Sequence, residues 1–297
     1  MLDQSTLTAV LAEATRHGAD FAEIFVVDTR HSSGVLDDGR IEELTSGRDR
    51  GAGIRVVVGE TTGFAHTADL SPAALEEAAR IAAAAARGPG GTPRTIDLSP
   101  TAAPRPYDVA MMPEDVAKSA KVDLLLTADE VARAQGDAVT QVSARVSDSR
   151  RIIQVANSDG VMTGDDQVRT VMSISAVASG DTGMQTGRQT VGLTRGFELF
   201  DSVDVSDLAS RAAQQALTKL GARPAPSGRH TVVIGPGGGG VMFHEACGHG
   251  LEADLVKKGA SVFAGRLGEM VASPLVTLVD DGTMGPEWGC FAIDDEG

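Results

Sequence analysis

The sequence has 297 residues, which is long enough for more than one domain and a substantial core. Hydrophobic residues make up 42% and charged residues 23%, an ordinary balance for a globular protein. The formal net charge of −15 argues against a nucleic-acid-binding surface, which would need clustered Lys and Arg. We therefore expect a globular protein without a nucleic-acid partner.

The N-terminal stretch MLDQSTLTAV lacks the basic segment that precedes the apolar run of a signal peptide. No apolar run approaches the length that a membrane span needs. Cys247 and Cys290 are the only cysteines, so a disulfide framework is not expected. These features predict a cytoplasmic protein that does not contact a membrane.

The first region, 1–95, has the pattern of helix, antiparallel strands and helix. Asp37-Asp38-Gly39 is a typical hairpin turn between two strands. Ser71 and Pro72 suit the N-cap and first position of an alanine-rich helix. The predicted elements are helix 4–17, strands 21–30, 32–47, 53–59 and 62–68, and helix 72–87.

The middle region, 96–226, follows a loop at 88–108 that is rich in Pro, Gly and Thr. Val142, Ala144 and Val146 alternate with polar residues, as in a half-buried strand. Nothing repeats at a fixed period, which argues against a solenoid. The predicted elements are helix 114–135, strands 141–149, 151–160, 172–179 and 186–196, and helix 204–220.

The third region, 227–297, is predicted to begin with a strand at 230–236, a glycine-rich turn and a helix at 241–257. The turn, GPGGGG, lacks the Gly-Lys-Ser/Thr ending of a phosphate-binding loop. The chain as a whole is predicted to be α+β. Antiparallel sheets flanked by helices occupy its N-terminal part, followed by the start of a further domain.

The segment His244-Glu245-Ala246-Cys247-Gly248-His249 resembles a zinc-peptidase helix with one extra residue. Histidines at i and i+5 lie roughly 140° apart around an ideal helix, a poor arrangement for one ion. One π-type turn absorbs an extra residue and brings both histidines towards one face. Gly248 lowers the steric cost of such a distortion. The glycine pair Gly248 and Gly250 costs helix stability, and a forced backbone geometry for metal binding would explain that cost.

The acidic neighbours have expected roles on this helix. Glu245 is the candidate general base, and Glu252 is a candidate hydrogen-bond acceptor for a histidine N–H or a further ligand. The alternative is that the match to the zinc-peptidase motif is accidental and that the histidines are ordinary core residues. Phe243, Cys247, Leu251 and Leu255 recur every four residues, so Cys247 is interpreted as part of an apolar stripe.

The stretch MFHEACGHGLEAD resembles the signature of the TldD/PmbA family of metallopeptidases, His-Glu-x-x-x-His followed by Gly-Leu-Glu and an acidic residue. The segment 277–297, with its DDG and DDEG sequences, is similar to a downstream part of that family. The resemblance implies that His244 and His249 are zinc ligands and that Glu245 is catalytic. It implies the metal-carrying, TldD-like type of subunit.

The resemblance further implies hydrolysis of short or unfolded peptides and a PmbA-like partner subunit or a homo-oligomer. The family takes its third ligand, a cysteine, from a part of the chain expected to lie beyond Gly297, so this sequence is expected to be C-terminally incomplete. Cys290 belongs to a different segment and is interpreted as a packed hydrophobe. Two alternatives remain: a catalytically inactive member that binds peptides or a partner, and a zinc hydrolase acting on a non-peptide.

Overall fold

The structure, a computed structural model, describes residues 1–86, 88, 91–92, 95–103 and 107–297. The chain divides into two compact units. The first comprises Met1–Ala222 and Asp281–Gly297, and the second comprises Arg223–Asp280. No helix in the described part of the chain has the length and apolarity that a membrane crossing requires.

The first unit contains one seven-stranded sheet with helices before and after each group of strands. The strand order is β3-β2-β1-β5-β6-β4, and β7 also pairs with β6. All pairs are antiparallel except β4 with β6. The elements are α1 (Gln4–Ala14), β1 (Phe21–Asp37), β2 (Arg40–Val58), β3 (Thr61–Thr67), α2 (Pro72–Ala85), β4 (Ser99–Pro100), α3 (Lys118–Arg133), β5 (Val139–Asn157), β6 (Val161–Gly180), β7 (Gly183–Leu193), α4 (Leu199–Ser202) and α5 (Val205–Leu220).

The predicted α+β class is confirmed, but the strands are longer than predicted. β1 runs without the predicted break near residue 31, and β5 joins two predicted strands into one. The reason is that each is paired with a neighbour along its length, so polar residues inside it do not end it. The predicted hairpin turn is present, with positive φ at Asp38 (47°) and Gly39 (77°), as a tight two-residue turn requires.

The helices cover one face of the sheet in two separate layers. α1 and α2 pack on the first core, which includes Ile24, Ile54 and Ala156. α3 and α5 pack on the second core, which includes Val146 and Met172. Ala156 and Val146 of β5 belong to different cores, but both have even numbers. Since side chains alternate along a strand, the two cores lie on the same face of the sheet. The predicted regions 1–95 and 96–226 thus share a single sheet through the β1–β5 pair; their division into domains stays a prediction.

The two helix layers repeat one supersecondary unit, a three-stranded meander between two helices, without any sequence period. A glycine marks the same contact in each copy. A Cβ at Gly63 would lie 2.0 Å from the Ala82 carbonyl oxygen of α2, and a Cβ at Gly187 would lie 2.0 Å from the Ala212 carbonyl oxygen of α5. Glycine therefore allows each third strand to approach its helix backbone closely.

Replacing Gly187 by Ala is expected to destabilise the protein by about 1–3 kcal/mol, because the new methyl group must push α5 away from β7. Denaturant unfolding of the variant measures this change. Gly221→Ala serves as the control, because the atom nearest to its new Cβ would be the Thr218 carbonyl oxygen, at 3.9 Å. Equal stabilities of the two variants would contradict the proposed close approach.

The second unit has short helical segments. They are α6 (Gly238–Phe243), a π turn (His244–Gly248), a 3₁₀ turn (His249–Leu251) and α7 (Ala253–Lys257). The predicted strand at 230–236 was wrong: described residues there form no strand and are exposed. A strand needs a hydrogen-bonded neighbour, and the described residues of this unit provide none.

The segment Asp281–Gly297 returns to the first unit and lies on the sheet face opposite the helices. The Ala292 N–H donates to Asp165 at 3.0 Å, and the Thr194 hydroxyl donates to the Glu287 carbonyl at 2.8 Å. Acidic side chains in the DDEG sequence pair with strand arginines: Asp295 with Arg151 and Glu296 with Arg55, both at 3.0 Å. These acidic residues therefore hold the segment on the sheet.

Candidate metal centre

The backbone of the histidine segment is distorted in the way that its spacing predicts. His244–Gly248 forms a single π turn between α6 and the following 3₁₀ turn. The His249 N–H donates to the His244 carbonyl, five residues earlier in the chain. An α-helix would use a carbonyl four residues earlier, so the turn absorbs the one extra residue of the motif.

The π turn brings the three polar side chains of the motif together. The imidazole rings of His244 and His249 have centroids 4.3 Å apart. The Glu245 carboxylate lies 3.9 Å from His249 Nε2, and one ligand atom from each of the three residues lies within 4.8 Å of the others. All three side chains are exposed. The predicted site residues His244, Glu245 and His249 thus form one cluster.

The donor atoms of this cluster suit a metal ion. Zinc accepts imidazole nitrogen and carboxylate oxygen, at about 2.0–2.2 Å. Two ligand atoms of one ion therefore lie at most about 4.4 Å apart. Atoms within 4.8 Å of one another reach that spacing by small side-chain rotations. The residues present fit a divalent metal, with no further His, Cys, Asp or Glu in the cluster among the described residues.

A carboxylate orients one of the two imidazoles. Glu252 Oε1 lies 2.8 Å from His249 Nδ1, so the ring N–H at Nδ1 donates to it and leaves Nε2 towards Glu245. The hydrogen bond that His249 donates to Glu252 raises the pKa of His249 above its ordinary value. Carboxylate acceptors of this kind fix the tautomer of metal-binding histidines and make them better donors.

A neighbouring loop supports the turn, a contact that no spacing rule predicts. A Cβ at Gly250 would lie 2.9 Å from the Phe263 ring. The Ser261 hydroxyl donates to the Gly250 carbonyl and accepts from the Phe263 N–H at 3.1 Å. Gly248 has ordinary helical angles (φ −55°, ψ −55°), so the π turn does not depend on glycine there. Gly250 is needed for the packing of Phe263.

The predicted apolar stripe does not form a buried face in this unit. Phe243 and Leu251 are exposed, and Cys247 is half-buried with its thiol 3.1 Å from the Phe243 carbonyl. The stripe assumed one regular helix over 241–257, whereas the π turn rotates the later residues and Glu252 is extended (φ −61°, ψ 127°). Cys290 is buried in the first unit, as expected for a packed hydrophobe, and lies outside the cluster.

The glycine run before the site makes a sharp turn into α6. Gly237 has φ 86°, a conformation that favours glycine. A Cβ at Gly239 would lie 2.5 Å from Ile234 Cγ2. The run is therefore explained by backbone geometry and packing.

Comparison with known protein families gives three consecutive matches. Residues 22–86 match the PmbA/TldA metallopeptidase domain 1, residues 112–220 match the central domain, and residues 227–297 match the C-terminal domain. The fold is α+β, and the donor atoms of its histidine–glutamate cluster suit a metal ion. The chain belongs to the PmbA/TldD metallopeptidase family.

Relatives in several organisms are similar to this chain over most or all of its length. The metalloprotease TldD homolog of Haemophilus influenzae is 35% identical over 100% of this chain and 63% of its own length. A metalloprotease of Methanothermobacter thermautotrophicus is 35% identical over 94% of this chain and 60% of its own length. The chain therefore spans about three fifths of the length of these relatives.

Solved structures share the fold at lower identity. A Bacteroides thetaiotaomicron structure, provisionally assigned as a modulator of DNA gyrase, has a TM-score of 0.81 at 16% identity, over 100% of this chain and 68% of its own. TldE from Thermococcus kodakarensis has a TM-score of 0.68 at 18% identity, over 90% of this chain and 60% of its own. At such identities these structures support the fold alone.

Proposed function

We propose that this chain carries the metal-binding part of a zinc-dependent peptidase that hydrolyses short or unfolded peptides. The observation that carries the proposal is the π turn, which gathers two imidazoles and a carboxylate within 4.8 Å despite their i, i+5 spacing. In zinc peptidases, two histidines on one helix bind the ion and the glutamate beside the first histidine is the general base. The family and its metalloprotease relatives support the same chemistry.

Each residue of the cluster has a proposed role. His244 and His249 hold the metal, and Glu252 holds the His249 ring through Nδ1. When bound, zinc supplies a Lewis acid that polarises the scissile carbonyl and makes water more acidic. Glu245 takes a proton from the attacking water and delivers it to the leaving amine. The proposed site takes a third protein ligand from outside these 297 residues, because catalytic zinc sites use three protein ligands.

A partner subunit is part of the proposal. The chain is proposed to work with a PmbA-like partner or with a second copy of itself, in the cytoplasm. The support for this part of the proposal is the family membership. Light scattering of the protein alone and mixed with a PmbA-like subunit tests the assembly.

The function is tested by digestion of a peptide library with a purified protein that contains this chain and the third ligand. We expect cleavage that a chelator abolishes and that zinc restores. Cleavage that persists after the metal has been removed would contradict the metal-dependent mechanism. Hydrolysis of non-peptide amides or esters without peptide cleavage would instead support a zinc hydrolase of another class.

The alternative function is a non-catalytic subunit that binds peptides or a partner. It is favoured by the exposure of the whole cluster and by the presence of only two histidines and one glutamate in it. Binding of library peptides without cleavage in the presence of zinc would support this alternative.

A further inference from the structure

A polar cleft lies on the sheet of the first unit, beside the N-terminal end of α3. Arg30, Arg48, Lys121 and Arg150 line it together with Lys118, and its volume is about 250 Å³. Arg30 and Arg150 have even numbers like the core residues of their strands, so they project from the helix-covered face. The cleft therefore lies on the helix-covered face of the sheet, bounded by β1, β2, β5 and the N-terminal end of α3.

Three arginines cross the floor of this cleft in a row. Arg30 of β1 pairs directly with Arg48 of β2 and with Arg150 of β5. Like charges directly opposite each other destabilise a sheet. The repulsion among the three arginines is reduced by negative charge nearby. Carboxylates of the same chain supply part of that charge.

Each outer arginine of the row, Arg48 and Arg150, forms an ion pair with a carboxylate. Arg150 makes two bonds of 2.8 and 2.7 Å to Asp166 and one of 2.7 Å to Glu114. Arg48 donates twice to Asp28, once at 2.8 Å. The charges of these two guanidinium groups are therefore offset by carboxylates of the same chain.

The buried lysine of the cleft is engaged as well. Lys121 is 3% exposed and pairs with Asp148, which also accepts from the Ser32 hydroxyl at 2.9 Å. Such a buried pair keeps its geometry, because removing either partner would leave an uncompensated charge. Lys121 and Asp148 thus form a fixed base under the arginine row.

Two cations of the cleft, Arg30 and Lys118, form at most one ion pair each with the described residues. Arg30 has one contact with a carboxylate, 3.5 Å from Glu114, and its side chain is 46% exposed. Lys118 forms no ion pair within the part of the chain that the structure describes, and it is exposed. Lys118 is also the first residue of α3, whose N-terminus has no side-chain cap and so favours nearby negative charge.

We propose that this cleft binds a small oxyanion, the carboxylate or phosphate group of a ligand, through Arg30 and Lys118. An oxyanion between them accepts charge-assisted hydrogen bonds from both, and the guanidinium of Arg30 can present two parallel donors. The bound charge also relieves the repulsion within the arginine row. This inference is independent of the peptidase proposal, because it uses no residue of the metal cluster.

The proposal is tested by calorimetric titration of metal-free protein with inorganic phosphate and, separately, with acetate, at constant ionic strength. We expect binding of at least one anion, and a dissociation constant about tenfold or more higher in Arg30→Gln/Lys118→Gln. The two titrations distinguish a phosphate site from a carboxylate site. Arg40→Gln is the matched control, since it removes an exposed charge from β2 outside the cleft.

Two results would overturn the proposal. One is equal affinity of the native protein and the double variant, and the other is no binding of either anion at about 10 mM. Thermal melting checks that the variants fold. If Arg30→Gln fails to fold, Lys118→Gln decides alone, because Lys118 is exposed and without an ion pair in the described residues.

Discussion

Replacing Glu245 by Gln is expected to lower peptide hydrolysis by about 10²–10⁴-fold, the usual contribution of a general base. The amide keeps the size of the side chain but cannot accept the proton of the attacking water. The two imidazoles are unchanged, so the metal content is expected to stay the same. Steady-state kinetics and elemental analysis of one preparation measure both quantities.

Glu269→Gln is the matched control for this variant. Glu269 lies in the same unit and is paired with Arg266 at 3.0 Å, away from the cluster. Full activity of Glu245→Gln would refute its role as the base. Loss of the metal along with the activity would instead make Glu245 a ligand, in line with its distance of 3.9 Å from His249 Nε2.

In a protein that contains this chain and the third ligand, replacing His249 by Ala is expected to reduce bound zinc from near-stoichiometric to background and to abolish hydrolysis. The variant removes one of two imidazoles and leaves Glu252 without the ring that it holds. Loss of a histidine ligand leaves too few donors for tight binding. Elemental analysis after dialysis measures the zinc, and circular dichroism shows whether the fold is intact.

His230→Ala provides the comparison for that experiment. His230 lies in the same unit, is exposed, and has one contact of 3.4 Å with the Ser227 carbonyl. This variant is expected to keep its zinc. Retention of zinc by His249→Ala would show that the metal is held elsewhere, and the proposed centre would be wrong.

Local patterns in the sequence were sufficient for most of the fold. The Asp-Gly turn after β1, the proline start of α2 and the alternation around Val146 each report a local backbone preference, and each is present in the structure. The predicted strand at 230–236 failed because a strand depends on a neighbour, which composition does not reveal.

By itself the sequence determined the α+β class, the motif and the need for a distorted turn, because the i, i+5 spacing conflicts with the 3.6-residue period of a helix. Only the tertiary structure decided how the strands join into one sheet and where the arginines of three strands meet. It also decided that Glu252 bonds His249 and that Phe263 packs on Gly250. Such contacts depend on chain packing at a distance, which no local spacing contains.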